Sequence, residues 1–280
     1  MWKRKMIETK RGKFEVFVQG EGEPICITHL YSEFNELGYY FADAFVNDFG
    51  VHLVNLKDAG SSSKSAVDAE LSMKESVMDL EAIREELGLE QWGFAGHSTG
   101  GMLGLVYATC FPESLSKVMA GGATATNKYM EHKGSMYSPS STLNQKWKEI
   151  FSIMKSSQHT IEDKRSASRE WTDMSLYNKR KRDGYFRQPS SGRVVQRRLD
   201  YFSFYDLPNF NIQDELTRVS IPAIVYCGRH DAQCPLVFSK DIDARLKDST
   251  LYIFEESNHF PYLEEKDRFL DMVSDFRKMY

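Results

Sequence analysis

The chain has 280 residues, 41% of them hydrophobic and 13% aromatic, with a formal net charge of −4. That length suits one large α/β domain or a core domain with an inserted one, and the apolar share can bury a sizeable core. The mild acidity leaves no electrostatic footprint for nucleic acid or an anionic membrane surface, and no apolar run approaches the ~20 residues of a membrane helix.

Lys3, Arg4 and Lys5 are followed by no apolar segment, so the N-terminus does not read as a signal peptide. Residues 6–9 and 13–19 form an expected antiparallel pair, the second alternating apolar and polar side chains. A strand is expected at 24–28, a helix at 33–47 and a strand at 51–56. Residues 71–88 make an amphipathic helix, with Ser72 and Glu75 as a capping box, Val77, Leu80, Ile83 and Leu87 as its apolar stripe, and Gly88 at its end. Residues 91–95 form a short apolar strand, and Met102 to Ala108 is apolar on nearly all sides, as a buried helix is. Phe111-Pro112 stops that helix, and 117–121 is again a strand.

The pattern then changes. Residues 123–215 are polar, basic in places and without strand signals, with helices expected at 143–155 and 161–177. Strands resume at 221–228 and 249–255, and a last amphipathic helix covers 264–279. Strands alternating with helices predict an α/β fold, a mostly parallel eight-stranded sheet with helices on both faces. The division is a core of residues 1–122 and 216–280 with an inserted helical cap at 123–215. Cys26, Cys110, Cys227 and Cys234 read as free thiols of a reducing cytosol. Cys227 and Cys234 match no zinc spacing, so no metal is expected.

Between the strand at 91–95 and the helix after it lies Gly96-His97-Ser98-Thr99-Gly100-Gly101. A Gly-x-Ser-x-Gly turn between a strand and a helix forces the serine into a strained conformation with its hydroxyl outward. A serine alcohol needs a base to take its proton and an acid to orient that base. The chain supplies both in the order Ser98, Asp231, His259. Asp231 follows the strand at 221–228 and His259 the strand at 249–255, where open α/β sheets build their sites. Asp241 and Asp248 are nearby carboxylates, but Asp231 alone stands at the expected distance from its strand. His29, His97 and His230 compete with His259. His97, adjacent to Ser98, is expected to point away from it, and His230 to flank the acid as a structural group. The N–H of Thr99, at a helix N-terminus, is one expected donor to an oxyanion.

These segments resemble those of the α/β-hydrolase-fold serine hydrolases nearly end to end. Gly-His-Ser-Thr-Gly-Gly resembles the nucleophile elbow, Gly228-Arg229-His230-Asp231 the acid loop, and Ser257-Asn258-His259-Phe260-Pro261 the histidine loop. The stretch from Asn55 to Ser62 is similar to the family's Asp-x-Arg-Gly-x-Gly-x-Ser segment, altered at three positions. The resemblance implies a Ser98 nucleophile, a Asp231 acid and a His259 base, acting on a small-molecule ester, thioester, lactone or amide without cofactor. It also implies a second oxyanion donor after the strand at 24–28. Relatives usually have His-Gly there. This chain reads His29-Leu30-Tyr31, which by alignment to His29 makes the Tyr31 N–H the donor.

Within the family the layout is similar to the prolyl aminopeptidases (proline iminopeptidases), with two departures. Thr99 stands where Trp usually follows the nucleophile. The cap keeps Trp171, a candidate substrate contact, but lacks the second Trp and the Glu of a Trp-x-x-Trp-Glu segment; Glu170 or Asp173 could substitute. The cap's basic stretch (Lys179 to Arg182, then Arg187, Arg193, Arg197 and Arg198) reads either as solvated charge or as a site for an acidic substrate. Its aromatic residues read as pocket lining or as glue between cap and core. A non-catalytic receptor on the same fold is the alternative outside enzymology; the altered oxyanion loop speaks for it and the intact triad against it.

Overall fold

In the computed structural model, which describes residues 1–279, the alternating N-terminal segment folds into the antiparallel hairpin β1 (Lys3–Thr9) and β2 (Gly12–Gln19). The remaining strands are β3 (Pro24–Ile27), β4 (Ser32–Glu33), β5 (Gly50–Val54), β6 (Trp92–His97), β7 (Leu115–Gly121), β8 (Arg193–Val194), β9 (Ala223–Gly228) and β10 (Ser249–Phe254). Eight of them form one sheet in the order β1-β2-β5-β3-β6-β7-β9-β10. β2 runs antiparallel to both β1 and β5, and every pairing from β5 to β10 is parallel. All six residues of β6 and of β9 are buried, which is why these strands read as unbroken apolar or small runs rather than alternating ones.

Helices cover both faces. On one side α1 (Met73–Glu86) and α2 (Thr99–Cys110) bury Val77, Leu80, Ile83, Met102 and Leu103 against Phe14, Val54 and Phe94. On the other, the C-terminal helix buries Phe269, Met272 and Phe276 against Phe17, Phe41, Phe45 and Phe254. Each such side chain contributes about 1.5–3 kcal/mol on leaving water. Ser72 caps α1 by accepting from the Glu75 N–H at 3.2 Å. Only this half of the expected capping box forms, because the Glu75 carboxylate pairs with Arg11 instead.

Between β7 and β9 the chain carries α3 (Asn144–Lys155), α4 (Ile161–Met174) and the short α5 (Gln196–Tyr201); α6 (Leu236–Arg245) and α7 (Lys266–Arg277) follow β9 and β10. Two expectations need correction. The helix at 33–47 is helical only at Tyr40–Asp43. Ser32 and Glu33 instead pair with β8, and Gly38, at φ +77°, lies so close to the Trp2 indole that a Cβ there would stand 2.1 Å from its nitrogen. Residues 123–215, expected to lack strands, contribute β8 to that pairing. A two-residue ladder has too little periodicity to be visible in sequence.

Candidate active site

The turn from β6 into α2 leaves no room for side chains. A Cβ on Gly96 would stand 2.2 Å from the Gly100 carbonyl oxygen, and one on Gly100 would stand 2.5 Å from that of Thr28. Between them Ser98 takes φ 57° and ψ −128°, a conformation that costs an L-residue about 1–3 kcal/mol. The turn is anchored at both ends, Ser98 N–H donating to Gly121 O at 2.8 Å and Ser98 O accepting from Met102 N–H at 3.0 Å.

Asp231 and His259 come from the loops beyond β9 and β10 and are both buried. The Asp231 Oδ1 accepts from the amides of Gln233 and Cys234, each at 2.8 Å, while Oδ2 faces His259 Nδ1 at 2.8 Å. With the Nδ1 proton directed at the carboxylate, Nε2 is left as the imidazole's acceptor. The loops are tied down from outside: His259 N–H donates to Ser175 O at 3.0 Å, and Asn258 Nδ2 to Met174 O at 3.1 Å. A Cβ on Gly122 would stand 3.2 Å from His259 Cε1 and 3.3 Å from Asp231 Oδ2. The pair therefore lies against the end of β7, beside the Gly121 carbonyl that anchors Ser98. The competing residues are placed elsewhere: Asp241 pairs with Gln213 and Arg245, and His230 is exposed and stacks on Tyr177 at 4.7 Å. An open groove lined by Asp68, Arg197, Tyr201, Phe204 and Tyr205 contains none of Ser98, Asp231 and His259.

Residues 16–266 match the family described as the alpha/beta hydrolase fold. The chain belongs to the α/β hydrolase family. A solved structure described as an alpha/beta fold family hydrolase from Bacillus anthracis str. Sterne is 45% identical and superposes with a TM-score of 0.97 over 99% of each chain. The proline iminopeptidase of Heyndrickxia coagulans is 22% identical over 275 residues, 95% of this chain and 94% of its own length. The pimeloyl-[acyl-carrier protein] methyl ester esterase of Vibrio atlanticus (strain LGP32) is also 22% identical, over 92% of this chain and 96% of its own length.

The hydrolase surrounds the Asp231–His259 pair with further histidines. His97 turns into an aromatic wall, its Nδ1 2.9 Å from the Tyr226 hydroxyl and its ring 5.1 Å from that of Tyr262. Its ring is also 4.6 Å from that of His259. Burial first, then the neighbouring His259 and His29, hold its pKa well below the usual range. His29 bridges Ser32 Oγ at 3.0 Å and Thr99 Oγ1 at 3.1 Å. Burial, then His259 and Arg198, push its pKa down to about 3, so it stays neutral and brings the loop after β3 against the start of α2. Tyr31 packs edge-on to His29 at 4.6 Å. Neither the Tyr31 nor the Thr99 amide has a protein acceptor among the described residues.

At its C-terminal end the basic stretch between β7 and β9 fits the reading of solvated charge at the exposed Arg193 and Arg197 and departs from it at the buried Arg198. Arg193 pairs with Glu33, Arg197 with Asp58 at 2.8 Å and with Asp68, and Arg198 is buried. The pairs of Arg193 and Arg197 link β8 and α5 to Glu33, Asp58 and Asp68. The aromatic residues divide: Phe186 packs on Tyr40 and Phe260, and Phe202 on Tyr31, whereas Phe204 and Tyr205 are exposed. Trp171 is partly buried, and its indole N–H is buried without a partner among the described residues. Glu170 is paired with Lys146 at 2.5 Å and Asp173 with Arg182 at 3.0 Å. Sequence reasoning missed Gln233, whose carboxamide accepts from the Tyr137 hydroxyl at 2.6 Å and donates to Ser175 Oγ at 2.9 Å. Its proximity to Asp231 was a signal, but its partners are distant in the chain.

Proposed function

We propose that this α/β hydrolase is a serine hydrolase that cleaves a small ester, thioester, lactone or amide through an acyl-enzyme on Ser98. The observation that carries the proposal is the buried Asp231–His259 pair, its carboxylate and imidazole 2.8 Å apart beside the strained Ser98 turn. In this reading His259 Nε2 takes the Ser98 proton as Oγ attacks the carbonyl carbon. Asp231 holds the ring in that tautomer and stabilises the imidazolium. The Thr99 and Tyr31 amides receive the oxyanion, with the N-terminus of α2 adding a favourable dipole. His259 then gives the proton to the leaving group, and water repeats the cycle on the acyl-enzyme.

Residues 123–215 act in this proposal as a cap over Ser98, with Trp171 as a substrate contact through its unpartnered indole N–H. The buried thiols of Cys26, Cys227 and Cys234 support a cytoplasmic setting; no helix among the described residues is long and apolar enough to cross a membrane. The relatives named proline iminopeptidases favour a second reading, a prolyl aminopeptidase. Against it stands the cap sequence, which lacks the second Trp and the Glu of the Trp-x-x-Trp-Glu segment, while Glu170 and Asp173 face Lys146 and Arg182. Ester or thioester cleavage is accordingly the preferred reading.

Labelling with a fluorophosphonate probe tests the mechanism. Wild type is expected to label, and Ser98→Ala and His259→Ala are not; an unlabelled wild type or a labelled S98A sinks it. A chain-length series of p-nitrophenyl esters run beside proline p-nitroanilide separates the two substrate readings.

A further inference from the structure

The second oxyanion donor poses a structural problem. The peptide joining Leu30 to Tyr31 has no glycine on either side to let it turn freely, yet in the proposed mechanism its N–H must face the reacting carbonyl. A trans peptide directs its C=O and N–H in opposite senses, and no peptide bond among the described residues is cis. Whatever holds the Leu30 carbonyl therefore aims the Tyr31 N–H.

Arg198 holds it. Its Nε donates to Leu30 O, and its other nitrogens reach Lys57 O at 3.0 Å, Ser76 Oγ at 2.7 Å and Leu71 O at 3.5 Å. Arg198 is 1% exposed, and its guanidinium partners are carbonyls and a hydroxyl, with no carboxylate in ion-pair contact among the described residues. The next residue is gripped from just before α5, as Val195 N–H donates to Tyr31 O at 2.8 Å. Ser32 then pairs with Val194. Residues 193–198 thus determine the path of residues 30–33.

We propose that Arg198 is a positioning residue for catalysis: by gripping the Leu30 carbonyl it aims and polarises the Tyr31 N–H as the second oxyanion donor. This rests on the serine-hydrolase reading above. The oxyanion site is then complete only while α5 is docked on the sheet domain, which couples seating of the cap to catalytic competence. A buried cation without a contacting counter-ion is a poor source of stability. Burial pushes the Arg198 pKa down to about 10, offset by the fields of Asp79, Asp58 and Asp206, so the side chain remains cationic at neutral pH. A charge-assisted bond to the carbonyl makes the N–H of the same peptide a stronger donor.

Hydrolysis of p-nitrophenyl acetate by wild type, Arg198→Met and Arg198→Lys, with inhibition by trifluoroacetophenone, tests the proposal. Removing one oxyanion donor outright costs about 10²–10³ in kcat, so misaiming it in a folded R198M is expected to lower kcat roughly 10–100-fold. KM is expected to stay within about threefold. The Ki of the ketone, which forms a tetrahedral adduct, is expected to rise by the factor that kcat/KM falls, and R198K to regain part of kcat. A folded R198M with kcat and ketone affinity within about threefold of wild type overturns the proposal, as do a loss carried by KM alone and an R198K no better than R198M. Should R198M not fold, Ser76→Ala, which frees the far end of the guanidinium, carries the test: lower kcat with unchanged KM supports the proposal, and unchanged kcat overturns it. Turnover in wild type that survives in S98A, or none at all, brings down the hydrolase reading and this inference with it; an active wild type beside an equally active R198M defeats this inference alone.

Discussion

Both oxygens of Asp231 are occupied, Oδ1 by two backbone amides and Oδ2 by His259. An asparagine in its place would keep its carbonyl oxygen on the amides, the better acceptor site, and turn its NH₂ toward His259 Nδ1. That donor forces the imidazole proton onto Nε2, the wrong nitrogen for a base. Asp231→Asn is therefore expected to retain the fold and lose about 10³–10⁴ in kcat for ester hydrolysis, as tautomer reversal does in serine proteases. Steady-state kinetics with a nitrophenyl ester check this, and a loss of less than tenfold would show that Asp231 is not the orienting acid. The strands and loops that carry Ser98, Asp231 and His259 were legible in the sequence because each is announced locally, by an apolar run and the turn at its end. The surroundings were not. The contact between the His97 and His259 rings joins residues from β6 and from the loop after β10, and Arg198 reaches a carbonyl 168 residues away. No local pattern encodes either.

Glycines separate the elements that depend on close approach from those that only need an unusual backbone angle. Gly88 ends α1 at φ +68° with open space where a Cβ would go. Gly96 has a negative-φ backbone but faces the Gly100 carbonyl oxygen at 2.2 Å. Gly88→Ala is expected to cost about 1 kcal/mol, the left-handed penalty alone. Gly96→Ala is expected to cost more than about 3 kcal/mol, because backbone must move, and to abolish labelling of Ser98. Urea denaturation of the two variants compares them, and equal losses would mean that the elbow can relax. Long elements with steady periodicity, such as α1, were readable to within a few residues. The segment at 33–47 misled for a physical reason: its apolar residues Phe34, Phe41 and Phe45 are core, but the Trp2 indole beside Gly38 and the β4–β8 pairing bend the chain away from one helix.

At the scale of the molecule, the two apolar faces of the sheet are conventional, while the zone around Ser98 concentrates histidines that the fold keeps neutral. His29 has a pKa near 3 and His97 one well below the usual value, whereas an unfolded chain titrates histidine near 6.5. Below about pH 6.5 the unfolded state binds protons at these positions that the native state does not, over a range that extends to about pH 3 for His29. Stability from each is therefore full above pH 6.5 and is lost as the pH falls below it. Asp206, raised to about 6 by burial, works in the opposite direction between its unfolded value near 4 and 6, since there the native state holds the extra proton. Its contribution cancels when one protein is compared with a histidine variant of itself. His97→Asn keeps a polar group facing the Tyr226 hydroxyl and removes one titrating ring. The loss of unfolding free energy between pH 7 and pH 5 should be smaller in this variant than in wild type by up to about 2 kcal/mol. Urea unfolding at the two pH values measures it. An undiminished acid loss in H97N would mean that the His97 imidazole is protonated within the native fold, next to the ring of His259.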